Sequence, residues 1–180
     1  MISEIPFEFA SVVVYAIITF GVIGLKLTWA SYWTFVATIF CLTFSGESLG
    51  IILCSLFKGV GLANTISTVI LSIGLLASGF FIPLSQMPLF VQYLDYTLIT
   101  TYCTPVLCIN EFLGENYTCT TDQSLPDGSC PYSTGEDVLD SMDINPDILW
   151  QAFGILLGLT VGYRIIAYIV LHFKPVKALV

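Results

Sequence analysis

The sequence predicts an all-α integral membrane protein with four transmembrane helices, short re-entrant or interfacial helices and one large extracellular loop. Of its 180 residues, 56% are hydrophobic and only 10% are charged, and the mean hydropathy is +0.90. A soluble domain carries about a quarter of its residues as charges, so this chain has too little polar surface to enclose a water-soluble core. Apolar stretches of the length that a membrane crossing requires are separated by one polar stretch.

The orientation of these helices follows from the polar stretch over 110–132. It contains an N-glycosylation sequon at Asn116 and two cysteines, Cys119 and Cys130. N-glycosylation and stable disulfide bonds both occur on the oxidising, lumenal side of a membrane. We therefore predict that the loop over 113–145 is extracellular. Counting the crossings then places both chain ends in the cytosol, in a multi-pass protein of the plasma membrane or of an endomembrane.

The formal net charge of −8 does not by itself predict a charged ligand. Much of the acid lies in the extracellular loop and just after it, through Asp147, which is typical of a solvated face rather than of a cation site. No basic patch is large enough to bind nucleic acid. A metal site is disfavoured, because the chain has one histidine and most of its cysteines lie in apolar stretches, where cysteine packs as a small hydrophobe: Cys41, Cys54, Cys103 and Cys108.

The first predicted span covers about 9–27. Pro6 suits the first turn of a helix, and Glu8 suits the positive end of the helix dipole. Aromatic residues follow the span, as they do at a bilayer interface. Lys26 lies among them on the predicted outer side, where the positive-inside rule disfavours a basic residue.

The second predicted span covers about 32–57 and carries Glu47 at mid-depth. A carboxyl group at this depth costs about 2.5–3.5 kcal/mol on insertion scales, so it should face the interior of the helix bundle or be protonated. Two interpretations of Glu47 remain open at this stage. It is either a coupling or substrate-contact residue, or a carboxyl satisfied by an interhelical hydrogen bond from a serine or threonine.

The third predicted span covers about 62–82 and ends before Pro83, which cannot continue a hydrogen-bonded helix. Gly74 and Ser78 in this span form a pair of small residues that permits close helix packing. The residues over 85–112 are apolar but are interrupted by prolines, acids and an asparagine. We predict short re-entrant or interfacial helices there, because irregular backbone at membrane depth must be covered by protein.

The fourth predicted span covers about 148–173. Asn145 and Pro146 give it a typical helix start, an N-cap followed by a proline at the first position. Arg164 lies past its midpoint, where the side chain either extends to the inner surface or pairs with an acid. Glycines at a spacing of four predict a close-packing face: Gly154, Gly158 and Gly162. Two basic residues after the span, Lys174 and Lys177, agree with a cytosolic end.

No catalytic constellation is present in the sequence. It has no phosphate-binding loop, no dinucleotide-binding glycine pattern and no zinc-protease motif. The remaining classes are transporter, channel, receptor and scaffold.

Three runs resemble one family of transporters. They are NEFLGEN over 110–116, TGE over 134–136 and YRIIAY over 163–168. Together with the nearby cysteines, they resemble the C-terminal part of a G-subfamily ABC half-transporter, of the White and sterol or multidrug exporter group. The resemblance covers essentially all of 1–180, so that the chain is identified as a partial ABC-2 type transmembrane domain.

The resemblance implies parts that this sequence does not contain. A nucleotide-binding domain, which binds ATP and Mg²⁺, and two further transmembrane helices would lie upstream. The four spans would then be the third to sixth helices of a six-helix domain. Such a half-transporter works as a homodimer or heterodimer and uses ATP to export lipids, sterols, pigment precursors or amphipathic drugs, so ATP hydrolysis would belong to the whole transporter.

The resemblance also implies candidate site residues. The substrate path would lie at the dimer axis, with Thr68, Ser72 and Leu75 on the matching face of the third span. Phe80 and Phe81 match a bulky pair, often leucine in this family, that forms an extracellular plug between cavity and exit. Two rings from each protomer would seal a narrow apolar neck. The alternative is that both rings only face lipid or pack in the core.

The family often has a third cysteine in the outer loop that bridges protomers, whereas this loop has two. We therefore predict one intrachain disulfide between Cys119 and Cys130, worth about 3 kcal/mol in the loop-entropy model, and a glycan on Asn116. A competing hypothesis is a small four-span scaffold or channel-like membrane protein with a disulfide-stabilised extracellular loop, similar in outline to a tetraspanin. The tetraspanin CCG motif is absent from the sequence.

Overall fold

A computed structural model describes residues 4–57, 59–78, 89, 96–118 and 130–173. The helices within these ranges are α1 (Ile5–Ile23), α2 (Trp29–Leu56), α3 (Val60–Ala77), α4 (Thr100–Phe112), α5 (Gly135–Ser141) and α6 (Leu149–Phe173). A 3-10 turn, Pro146–Ile148, leads into α6. The described part of the chain contains no β-strand, only an isolated antiparallel bridge between Asn116 and Thr134. The all-α class is therefore confirmed.

Three of the four predicted spans correspond to helices that are long and apolar enough to cross a membrane: Ile5–Ile23, Trp29–Leu56 and Pro146–Phe173. The predicted span over 62–82 corresponds to α3, whose apolar stretch Val60–Leu76 is shorter than the other three. A full crossing needs about 20 residues, and 79–82 lie outside the described residues. The fourth crossing therefore stays a prediction.

Capping residues explain why the first two helices differ from the predicted boundaries. The apolar sequence continues to Leu27, but α1 ends at Ile23 because Gly24 adopts a left-handed φ of 73° and donates its N–H to the Phe20 carbonyl. The next helix begins at Trp29, since the Thr28 hydroxyl accepts a hydrogen bond from the Ser31 N–H at 3.2 Å. A short connection thus separates α1 from α2.

The start of α6 agrees with the sequence analysis. Asn145 caps the 3-10 turn that leads into α6, with its side-chain oxygen accepting the Asp147 N–H at 2.9 Å, and Pro146 is the first residue of that turn. The chain passes through the 3-10 turn before the α-helix continues to Phe173. A well-capped start fixes where α6 leaves the polar loop.

The central element is α2, which packs against α1, α3, α4 and α6. Between α2, α4 and α6 lies a core formed by Cys41, Cys103 and Leu156, with Ile99 just before α4. At the α2–α6 crossing, the buried hydroxyls of Ser45 and Thr160 lie 3.2 Å apart and are hydrogen-bonded. This arrangement places both neighbours of the polar loop, α4 and α6, directly on α2.

A close approach holds α3 to the start of α4. The Thr100 hydroxyl donates to the Gly74 carbonyl at 3.0 Å, and a Cβ at Gly74 would lie 2.8 Å from that hydroxyl oxygen. Gly74 therefore serves the close packing expected of it. The glycines of α6 differ, because a Cβ at any of them would meet nothing within 4 Å among the described residues: Gly154, Gly158 and Gly162. Their predicted packing role has no partner in the described part of this chain.

The predicted region of short helices over 85–112 contains α4. This helix of 13 residues has Pro105 in its interior and buries Cys103, Val106, Cys108 and Ile109. It is covered by α2, α3, α5 and α6, as irregular or short elements at membrane depth require. Whether it enters the bilayer stays a prediction, and 85–88 and 90–95 lie outside the described residues.

Candidate functional site

The intramembrane acid Glu47 is paired with a cation rather than with a serine or threonine. Its carboxylate oxygen lies 3.5 Å from Arg164 Nη1, and the same nitrogen donates to the Ser48 hydroxyl at 3.3 Å. The Arg164 guanidinium also lies 3.8 Å from the centre of the Phe44 ring. Of the two alternatives for Arg164, extension to the inner surface or pairing with an acid, the structure has the pair, whereas a coupling or substrate role for Glu47 stays a prediction.

The pair joins α2 to α6 across the apolar bundle. The Arg164 side chain is 16% exposed and the Glu47 side chain 41% exposed, so the cation is the more enclosed partner. Two charges at this depth are costly singly and tolerable together, since each compensates the other and the ring face adds a cation–π contact. The arrangement fixes the register of α6 on α2.

A second charged cluster surrounds Lys26 at the other end of the bundle, and we call it the Lys26 cluster. The Glu111 carboxylate accepts the Lys26 backbone N–H at 3.1 and 3.3 Å. The Lys26 ammonium group donates to the Leu113 carbonyl at 2.7 Å and pairs with the Glu115 carboxylate at 3.0 Å. Glu115 therefore pairs with the charge of Lys26, whose predicted outer position the positive-inside rule disfavours, and Glu111 holds its backbone.

Asn110 makes the adjoining contact. Its side-chain amide donates to both the backbone carbonyl and the hydroxyl of Ser31, at 3.1 and 2.9 Å. Asn110, Glu111 and Glu115 therefore hold the α1–α2 connection from one side. The NEFLGEN run, which carried the family resemblance, has a defined physical role: it fastens the end of α4 to the start of α2.

The TGE run over 134–136 contacts the residues that follow α4. The Gly135 N–H donates to the Glu115 carbonyl at 2.8 Å, and the Tyr117 N–H donates to the Ser133 carbonyl at 3.0 Å. A Cβ at Gly135 would lie 1.7 Å from the Phe112 carbonyl oxygen. Only glycine permits the two segments to approach this closely, which explains the glycine in that run.

Asp137 fixes the start of α5. The Thr134 hydroxyl accepts the Asp137 N–H at 3.2 Å, and the Asp137 carboxylate accepts from the N–H groups of Thr134 and Ser133 and from the Ser133 hydroxyl. This is a capping box. The Thr134 and Ser133 donors lower the pKa of Asp137 to about 2. The acid is therefore charged at any physiological pH.

The predicted modification sites are only partly within the described residues. Asn116 is exposed and lies in the isolated bridge with Thr134, so its side chain is accessible for a glycan. Four cysteines are free thiols, and Cys130 is not among them: Cys41, Cys54, Cys103 and Cys108. Cys119 lies outside the described residues, and its pairing with Cys130 stays a prediction.

The three predicted path residues share one uncovered face of α3. Thr68 and Ser72 are exposed and Leu75 is 54% exposed, at spacings of four and three residues. The hydroxyls donate within the helix, Thr68 to the Asn64 carbonyl at 3.0 Å and Ser72 to the Thr68 carbonyl at 2.8 Å. Phe80 and Phe81, the predicted plug, lie outside the described residues.

The opposite face of α3 is the packed one. Ala63 is 2% exposed and Gly74 is buried, and this side contacts α2 and α4. The exposed hydroxyl-bearing face therefore has no covering element among the residues that the structure describes. It combines hydroxyls that already donate within their own helix with apolar side chains such as Leu75.

Comparisons with known proteins identify a family and several relatives. A family model described as ABC-2 type transporter matches residues 1–112. The chain is 28% identical over 145 residues to ABC transporter G family member 1 of Dictyostelium discoideum, covering 81% of this chain and 18% of that protein. It is 25% identical over 177 residues to ABC transporter G family member 23 of Arabidopsis thaliana, covering 98% of this chain and 28% of that protein.

A third relative is the bovine protein named broad substrate specificity ATP-binding cassette transporter ABCG2. It is 26% identical over 173 residues, covering 94% of this chain and 26% of that protein. The chain therefore spans less than a third of the length of each of these curated relatives.

Proposed function

Because this chain belongs to the ABC-2 type transporter family, among relatives of the G subfamily, we propose that it is the membrane-domain part of an ATP-driven exporter. Its cargo would be lipids, sterols or amphipathic small molecules, carried along a path that the chain forms with a dimer partner. The observation that carries this proposal is the uncovered face of α3, where Thr68, Ser72 and Leu75 combine hydroxyl and apolar surface.

Such a face suits an amphipathic cargo for a physical reason. The hydroxyls of Thr68 and Ser72 already donate to carbonyls of their own helix, so passage of an apolar group leaves no donor unsatisfied. Each hydroxyl oxygen can still accept a hydrogen bond from a polar group of the cargo. A second copy or a related half-transporter facing this side would complete the path, with Phe80 and Phe81 as its extracellular plug.

Energy for transport would come from ATP and Mg²⁺ bound to a nucleotide-binding domain upstream of the membrane portion. The membrane portion would transmit the conformational change of that domain, and the Glu47–Arg164 pair is placed to hold α2 and α6 together as one unit during it. In the predicted orientation both chain ends lie in the cytosol and the start of α6 lies in the outer leaflet. The polar loop, with a glycan on Asn116 and an intrachain Cys119–Cys130 disulfide, then lies outside the plasma membrane or in the lumen of an endomembrane.

A transport assay tests this function. Inside-out vesicles would carry the protein with its nucleotide-binding domain, and ATP-dependent uptake of a fluorescent phospholipid, of a fluorescent sterol and of a fluorescent amphipathic cation would be measured. Ser72→Phe should reduce uptake at least about tenfold, because a ring on the α3 face would obstruct a path that lies between this face and the dimer partner. The matched control is Ser11→Phe, at an exposed serine on α1 whose hydroxyl likewise donates to its own helix.

The expected result is loss of ATP-dependent uptake in Ser72→Phe and normal uptake in Ser11→Phe. Equal effects of the two substitutions would contradict a path along α3. Absence of ATP-dependent uptake of the phospholipid, of the cation and of a fluorescent sterol by the unmodified, correctly assembled protein would contradict the exporter function and favour the four-span scaffold.

A further inference from the structure

A cleft of about 280 Å³ lies beside the polar loop, at the junction of three elements. One wall is the first half of α4, with Thr101 and Pro105, and the other is the start of α6, with Ala152 and Ile155. The turn after α5 contributes Asp143. This cleft is separate from the face of α3 that carries Thr68, Ser72 and Leu75, none of which lines it.

The size and depth of the cleft suit an acyl chain. An apolar cavity of about 150 Å³ is enough to hold benzene, so this one has room for a longer apolar group. Its α6 wall extends from Ile148 to Ile155, which is about 10 Å along a helix, against about 15 Å for the apolar depth of one leaflet. Trp150, 81% exposed on the same turns, is a residue type enriched at the bilayer interface.

The acidic residues beside the cleft indicate which lipid head group would bind there. Every charged residue over 135–148 is acidic: Glu136, Asp137, Asp140, Asp143 and Asp147. Asp143 is exposed, and no described side chain donates a hydrogen bond to its carboxylate or pairs with it. Tyr96, 60% exposed, also lines the cleft. A carboxylate and an aromatic ring together favour a quaternary ammonium group and disfavour an anionic one.

We propose that this cleft binds one acyl chain of an outer-leaflet phosphatidylcholine, with the choline group beside Asp143 and Tyr96. The proposal rests on the orientation given under the proposed function, in which the start of α6 lies in the outer leaflet. It adds a lipid site at the protein surface, apart from the path along α3. A lipid held there fills the space between α4 and α6 and would stabilise their contact.

Lipid retention by the purified full chain tests the proposal. The chain would be washed free of lipid in detergent, incubated with phosphatidylcholine or phosphatidylglycerol of identical acyl chains, and analysed by mass spectrometry for lipid retained per chain. We expect about one phosphatidylcholine, and about threefold less phosphatidylglycerol, a difference of about 0.65 kcal/mol, because an exposed charge contact is weak.

Four variants locate the site, two at acids and two on the wall of the cleft. Asp143→Asn should abolish the preference between the two lipids, whereas Asp147→Asn, at a neighbouring exposed acid that does not line the cleft, should preserve it. Ile155→Trp should reduce phosphatidylcholine retention more than fivefold by filling the cleft. Gln151→Trp, at an exposed position on the same wall, repeats the test if Ile155→Trp lowers the helix content measured by circular dichroism.

Equal retention of both lipids by the unmodified chain would overturn the proposal, as would equal effects of Asp143→Asn and Asp147→Asn. Retention unchanged by both tryptophan variants would place the lipid elsewhere and also overturn it. Displacement of phosphatidylcholine by an equimolar sterol would assign the cleft to a sterol instead. Because retention needs no ATP, these outcomes are independent of the transport assay, so a failure here is distinguishable from a failure of the exporter function.

Discussion

Lys26 contacts the end of α4 and the residues just after it, through its backbone and through its side chain. Its backbone N–H is accepted by Glu111, while its ammonium group contacts the Leu113 carbonyl and Glu115. The side chains of Lys26 and Glu115 are 26% and 42% exposed, so solvent screens the pair and its worth is modest. We expect Lys26→Met to lower the free energy of unfolding by about 1 kcal/mol.

The measurement is the thermal midpoint of the purified chain in detergent, which should fall by about 3 °C for this size of change. Lys26→Arg is the control, because it retains the charge and should retain most of the stability. A midpoint unchanged in Lys26→Met would show that the Lys26 side chain contributes nothing to stability.

Two glycines give opposite predictions for the same substitution. At Gly135 a Cβ would lie 1.7 Å from the Phe112 carbonyl oxygen, so Gly135→Ala must displace backbone. It should destabilise by at least about 2 kcal/mol. At Gly154 a Cβ meets nothing within 4 Å among the described residues, and alanine favours a helix over glycine by about 0.5–1 kcal/mol.

Thermal midpoints of the two variants check this contrast. Gly135→Ala should lower the midpoint, and Gly154→Ala should leave it unchanged or raise it. A lower midpoint in Gly154→Ala of the isolated chain, or an unchanged one in Gly135→Ala, would contradict the packing described for α5 and α6.

Asp137 gives the loop a defined dependence on acid. Its pKa is lowered from an ordinary value of 3.8 to about 2 by donors on Thr134 and Ser133. A carboxyl whose folded pKa is depressed contributes stability that is complete above the unfolded value and is lost as pH falls through the folded one. The capping box should therefore weaken between about pH 4 and about pH 2.

Amide hydrogen exchange over 133–141 at several pH values measures this effect, after correction for the intrinsic pH dependence of exchange. Protection should fall across that window in the unmodified chain. Asp137→Asn should show lower protection at pH 6 and a smaller change on acidification. An identical acid profile in both chains would contradict the role of this carboxylate.

At the scale of elements, the Glu47–Arg164 pair determines how α6 lies on α2. Arg164→Met and Glu47→Gln each leave one charge without its partner, and each should destabilise by about 1–3 kcal/mol, the penalty for an enclosed polar group that has lost its partner. Arg164→Met should cost more, since Arg164 also contacts Phe44 and Ser48. The double variant should cost less than the sum of the two.

A double-mutant cycle on thermal or denaturant stability checks this expectation, with a coupling of about 1–2 kcal/mol. Additive single effects would mean that the two side chains do not interact in the folded bundle. The Ser45–Thr160 contact serves as the reference for a neutral pair at the same helix crossing.

Element ends were predictable where a local cap determines them. Asn145 and Pro146 identified the start of α6 from sequence alone, because an N-cap and a first-turn proline act on their own helix. The end of α1 was not, since hydropathy continues past Gly24 while the left-handed backbone there stops the helix. Hydropathy predicts which residues can lie in the bilayer, whereas capping residues determine where the helical hydrogen bonds begin and end.

The candidate site was harder to predict because it depends on contacts between distant segments. Glu47 and Arg164 were each noticeable as intramembrane charges, but their register across α2 and α6 could not be read from either helix. Lys26 contradicted the positive-inside rule, and Glu111 and Glu115 lie in the run that carried the resemblance. The one sequence feature that indicates the Lys26 cluster is a basic residue on the predicted outer side, where the loop residues are mostly acidic.

At the scale of the whole molecule, the account depends on α3. The structure contains three helices long enough to span a membrane among its described residues, and the shorter α3 lies between the second and the third. If α3 completes a fourth crossing, both chain ends share one side and the face with Thr68, Ser72 and Leu75 runs through the bilayer. If it does not, the two ends lie on opposite sides and no path along α3 is possible.

The most direct test is therefore the side of each chain end and of the polar loop in intact cells. Epitopes would be placed before Ile5 and after Phe173, and glycosidase sensitivity would be compared between the unmodified chain and Asn116→Gln. The account predicts that both epitopes bind antibody only after permeabilisation and that the glycosidase size shift disappears in Asn116→Gln. Labelling of one epitope alone on intact cells would contradict four crossings, and labelling of both would contradict the predicted orientation; either result would contradict the proposed export path.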